Sequence, residues 1–114
     1  MPITISNANQ NGTTMSSYLI ESGAALSTGQ IPVFGMNSFS FLMEGITTGA
    51  ANAFGSVSLD ARITRDGSWS TLKTVNFTNS SGELYFLNAS VESLRGRITQ
   101  ISSGVFNIGF CAKG

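Results

Sequence analysis

Between Gly55 and Phe110 the chain runs as short stretches of alternating apolar and polar residues, broken at regular intervals by Gly, Asn and Ser. No other feature limits its fold so strongly. The opening stretch sets Val57, Leu59, Ala61 and Ile63 against Ser56, Ser58, Asp60, Arg62 and Thr64. A period of two places each set on its own face of a β-strand. The only helical candidates, 22–26 and 91–94, are too short to stand alone. The pattern predicts an all-β chain, a single antiparallel β-sandwich or jelly roll of about eight short strands. With 114 residues there is material for one core. We therefore read 1–114 as one domain, with 1–12 as a possible N-terminal arm.

Along the chain, Ile3–Ile5 and Thr14–Glu21 read as strands, and Ser22–Gln30 as a loop or arm. Ile31–Phe34 enters a sheet edge, since Pro32 cannot donate to a central ladder. Asn37–Glu44 is a core strand with Phe39, Phe41 and Met43 inward and Ser38, Ser40, Leu42 and Glu44 outward. Gly55–Thr64 is expected to pair with an earlier strand and to turn at Asp66-Gly67, where glycine supplies a positive φ. The apolar register of Ser70–Phe77 needs a bulge near Lys73 or Thr74. Glu83–Leu87 is apolar on both faces. A strand around Arg95–Ile101 then turns at Gly104 into Val105–Cys111, with Phe106, Ile108 and Phe110 inward.

Charged residues make up only 11% of the chain, and six basic residues balance six acidic ones, against about 25% charged residues in an average domain. Solubility must then rest on Ser, Thr, Asn and Gly, and a surface without net charge favours association. No basic excess marks a nucleic-acid partner. Arg95 and Arg97 flank Gly96 and share one face, as a solvated or subunit-facing pair. Cys111 is the single cysteine, so no intrachain disulfide forms and an intracellular origin is expected. The N-terminus lacks signal-peptide character, and no apolar run is long enough for a membrane helix.

The chain has no histidine, which removes the commonest general base and metal ligand. Cys111 reads as a packing residue. Carboxylate pairs, Asp60 with Asp66 or Glu44 with Glu83, are the remaining catalytic equipment, but they need a cleft that the sequence does not indicate. No calcium-loop motif occurs. We expect no enzyme activity, no cofactor and no metal. Trp69, after the Asp66-Gly67 turn, reads as closing one end of the core, with a sugar platform as the rival role.

The run from Ser56 to Leu72, with its Asp66-Gly67-Ser68-Trp69 turn, followed by Arg97–Ile101 and a Gly turn, resembles small β-sandwich proteins of tailed-phage structural gene clusters. The likeness covers 55–111. It implies a virion structural protein, made in the host cytoplasm and placed on the capsid surface. There it would be a decoration (cement) protein, a homotrimer clamping the major capsid protein, without nucleic-acid or membrane contacts. The alternative it carries is a tail- or baseplate-associated or carbohydrate-binding module. Candidate assembly contacts are Ile3, Ile5, Tyr18, Leu19, Ile20, Arg95 and Arg97, with Asp66, Gly67 and Trp69 forming a structural turn.

Overall fold

The computed structural model describes residues 3–9 and 12–114, with side chains from residue 14 onward. Among the described residues it has nine strands: β1 (Ile3–Asn9), β2 (Gly12–Gly23), β3 (Ser27–Pro32), β4 (Ser38–Ile46), β5 (Phe54–Arg62), β6 (Ser70–Phe77), β7 (Ser81–Leu87), β8 (Ser93–Ser103) and β9 (Val105–Lys113). After β1 the pairing is nested: β5 with β6, β4 with β7, β3 with β8 and β2 with β9, all antiparallel. The strands β2 to β9 therefore behave as one long hairpin wound across two layers. Its windings form the sheets β1-β2-β9-β4-β7 and β3-β8-β5-β6. This is the jelly-roll order, with β1 added at one edge.

The alternation reads straight into the core. Phe39, Phe41 and Met43 of β4 and Phe106, Ile108 and Phe110 of β9 are buried, facing Val57, Leu59 and Ala61 of β5 and Leu94 and Ile98 of β8. The Phe41 ring centre lies 6.0 to 6.4 Å from those of Phe39, Tyr85 and Phe110, within the usual spacing of aromatic pairs. The β8–β9 hairpin turns at Gly104, where φ is +80°. A Cβ there would stand 2.6 Å from the Cα of Ala53.

Several expectations need correction. Ser27–Gln30, read as loop or arm, belongs to β3, an edge strand whose Pro32 closes the ladder with β8. β5 pairs with the later strands β6 and β8, not an earlier one. The Asp66-Gly67 turn forms, with the Gly67 amide donating to Thr64 O at 3.0 Å. Gly67 is not among the positive-φ residues, so the turn uses its lack of a side chain: a Cβ would meet Thr64 Oγ1 at 2.5 Å. The bulge falls at Leu72, because Leu59 pairs with Lys73 and Asp60 with Thr71. Leu19 and Ile20, offered as surface contacts, are core residues at 1% and 5% exposure.

Asp60 lies on the outer face of β5, away from the core, yet it has no exposed surface. Neighbouring strands cover it. Arg95 Nε and Arg97 Nε of β8 donate to Oδ2 at 2.7 and 2.6 Å, and Thr71 of β6 donates to Oδ1 at 2.8 Å. Burial alone would raise the carboxyl pKa, but the hydrogen bonds from Arg97, Arg95 and Thr71 outweigh it and hold the group below its ordinary 3.8. One side chain thus joins three strands of the sheet.

Two outcomes check this account. Phe41→Ala should cost about 3–5 kcal/mol in denaturant unfolding, whereas Leu26→Ala, at an exposed position, should change stability by less than about 0.5 kcal/mol. Asp60→Asn should cost roughly 3 kcal/mol at neutral pH, the low end for a broken buried pair because both arginines keep some contact with water. Because the folded-state pKa is depressed, the wild-type advantage is complete above the unfolded value and fades as pH falls through the folded one. A wild-type minus Asp60→Asn difference that stayed constant from pH 7 down to pH 2 would contradict it.

Candidate functional site

β9 occupies the middle of the five-stranded sheet. With Phe106, Ile108, Phe110 and Ala112 turned inward, its outward residues are Asn107, Gly109, Cys111 and Lys113. The register lays out what surrounds them. Gly109 faces Tyr18 of β2 and Leu42 of β4, and Leu42 faces Leu84 of β7. Cys111 faces Ser16 and Ser40, while Ser40 faces Phe86. Lys113 faces Thr14 and Ser38, and Asn107 faces Glu44.

Gly109 brings no side chain to this face, so a trough opens along β9. The edge of the Tyr18 ring leans into the space: a Cβ on Gly109 would lie 3.2 Å from Tyr18 Cε1. One section of the groove encloses about 480 Å³ among Ser16, Tyr18, Ser40, Leu42, Glu44 and Leu84. A second, of about 350 Å³, continues past Ser38 and Lys113 and shares Ser16, Ser40 and Cys111 with the first. From Glu44 to Ser38 along β4 the groove extends about 20 Å at the usual strand rise.

Polar side chains are fixed at one end. Asn107 Oδ1 accepts the Ser22 amide at 2.6 Å, and its Nδ2 donates to Glu44 Oε1 at 3.2 Å. Ser22 has φ of 50°, a conformation uncommon outside glycine, and the shifted register of β2 there leaves its amide to the asparagine. Tyr18 keeps 38% of its surface exposed and Leu84 61%. The groove is amphipathic, with hydroxyls, a carboxylate and one lysine set around Tyr18, Leu42 and Leu84.

The residues picked from sequence scatter. Tyr18 joins the groove; Ile3 and Ile5 lie outside the residues whose side chains are described. Arg95 and Arg97 share a face as expected, and both clamp Asp60 while keeping part of their surface exposed. Trp69 is absent from the core. Its ring lies outside, with the guanidinium carbons of Arg62 and Arg95 each 4.6 Å from the ring centre. Arg62 in turn bonds Glu92 at 3.0 Å. Cys111, read as a packing residue, is exposed on the groove floor.

Neither carboxylate pair assembles. Asp60 is enclosed by arginines while Asp66 is exposed in its turn. Glu44 points outward from β4, whereas Glu83 stands opposite the inward Met43 and pairs with Lys73 at 2.8 Å. Among the described residues no group of acids, cysteines or histidines is placed to hold a metal. Sequence reasoning missed Gly109, Ser16, Ser40, Leu42 and Leu84 as neighbours. The available signal was Leu42 on an otherwise polar face, together with a β7 that is apolar on both sides.

No protein-family model matches the sequence, and no curated protein is similar to it. Solved structures do share the fold. The K1 cleaved adhesin domain of Lys-gingipain from Porphyromonas gingivalis is 9% identical with a TM-score of 0.51, over 98% of this chain and 82% of that one. A protein described as an α-L-fucosidase from Bacteroides thetaiotaomicron is 12% identical with a TM-score of 0.52 over 87% of this chain, which spans only 21% of the fucosidase's length. A family 29 carbohydrate-binding module, solved as a mutant, is 9% identical with a TM-score of 0.48, over 97% of this chain and 75% of that one. At such identities the two matches with TM-scores above 0.5 establish a shared β-sandwich fold and nothing more.

Proposed function

We propose that this chain is a non-catalytic binding domain that holds an extended glycan in the groove along β9. The observation that carries the reading is the amphipathic trough of about 480 Å³ between Tyr18, Leu42, Leu84, Ser40 and Glu44, open at its Cys111 end into a second section. A sugar ring presents C–H faces and hydroxyl edges together. Tyr18 and Leu42 offer apolar surface to the first, and Ser16, Ser40 and Glu44 offer partners to the second. The groove length suits a chain of several rings.

A peptide fits this site poorly. A peptide that binds by strand addition gains its affinity from main-chain hydrogen bonds at an open sheet edge. The groove instead crosses the face of the sheet, above β9, whose ladder is shared with β2 and β4. What projects there is side-chain chemistry.

The location of Cys111 supplies a direct test. Titration calorimetry with hexasaccharides of glucose, mannose and xylose should find a binder, and saturating it should slow the reaction of Cys111 with a thiol reagent. Tyr18→Ala should weaken that binding at least about tenfold, the loss of one buried aromatic contact, with little change in melting temperature. Phe34→Ala, exposed at the edge of the other sheet, should leave it unchanged. No binding in the panel, with Cys111 labelled equally fast, would refute the glycan reading; cosedimentation with expanded phage capsids would then favour the capsid-decoration reading.

A further inference from the structure

We infer that Glu44 decides which glycans the groove admits, favouring neutral and amino sugars over acidic ones. The inference rests on the glycan reading above and adds the class of sugar.

The two ends of the groove carry opposite charges. Glu44 stands opposite Asn107 at one end and Lys113 opposite Ser38 at the other, about 20 Å apart along β9. Among the described residues no cation pairs with Glu44. The four arginines of the chain, Arg62, Arg65, Arg95 and Arg97, belong to β5, the turn after it and β8, in the opposite sheet, and Lys73 is held by Glu83. Among the described residues no cation stands beside Glu44 to offset its charge.

The carboxylate is also oriented. Asn107 Oδ1 is committed to the Ser22 amide, so its Nδ2 is the atom that faces Glu44 and takes Oε1. Among the described residues no hydrogen bond takes up Oε2, and Glu44 lines the groove. A carboxylate so fixed accepts from the hydroxyls of a neutral sugar or from a sugar ammonium group. A uronic acid placed there meets like charge with no arginine to offset it.

The test compares hexasaccharides of glucose, glucosamine and galacturonic acid on wild type and Glu44→Gln, at low salt and at about 1 M salt, where screening reaches within a few ångströms. Wild type should bind the galacturonate hexamer at least about tenfold more weakly than the neutral one, the scale of one charge-assisted contact. Glu44→Gln should close that gap by raising galacturonate affinity and should lose any preference for glucosamine. High salt should narrow the gap in wild type. A gap unchanged in Glu44→Gln, or equal binding of neutral and acidic hexamers by wild type, overturns the inference while the groove stands. Failure of all three to bind overturns both.

Discussion

The antiparallel pairing of β9 with both β2 and β4 is the constraint on which the molecule depends. Central in its sheet, β9 joins β2 on one side to β4 on the other. Its inward residues then close the core, with Phe106 packed 5.4 Å from Phe77 across the sandwich. Its outward residues form the groove floor. A one-residue slip of β9 would exchange Phe106, Ile108 and Phe110 with Asn107, Gly109 and Cys111, destroying core and groove together.

The other sheet is held differently. On the outer face of β5, where solvent is expected, Ser56 bonds Asn76 at 2.5 Å, Ser58 bonds Thr74 at 2.9 Å and Asp60 is enclosed by Arg95, Arg97 and Thr71. This is a polar ladder that satisfies itself. Its charges are grouped, Asp60 with two arginines and Arg62 with Glu92, so a chain with few charges spends most of its arginines on its own structure. The groove side of the sandwich keeps few charged groups, and those stand at the groove's ends.

Strand positions and inward faces were legible because a period of two is local, and it survives into the core at Phe39, Phe41, Met43, Phe106, Ile108 and Phe110. Partner choice was not. β5 takes later strands because the nested winding is a property of the whole chain, and nothing in Gly55–Thr64 specifies β8 over β4. The arm read at Ser22–Gln30 hides β3, whose outward Thr28 and Gln30 flank a Gly29 too small to show an apolar alternation. Trp69 misled for a related reason. Size and a nearby glycine suggest burial, but two arginines from different strands supply a cationic seat outside the core. Groove residues were illegible because they are gathered from β2, β4, β7 and β9, spread over most of the chain.

An exposed apolar row on one sheet and a self-satisfied polar ladder on the other give the two faces different chemistry. Leu42, Leu84 and Phe86 are 39%, 61% and 64% exposed and lie side by side across β4 and β7, on the groove side. A solitary apolar residue at a surface needs no explanation, whereas a contiguous set beside a groove marks contact. The opposite sheet has an opening of about 460 Å³ between Gln30, Phe34, Arg62, Arg65 and Glu92, but around Asp60 the side chains already bond one another. Conversion of that ladder into a second binding face would first have to break the buried Asp60 cluster, at a cost in stability. The groove needs no such cost, since Gly109 leaves its floor open in the folded state.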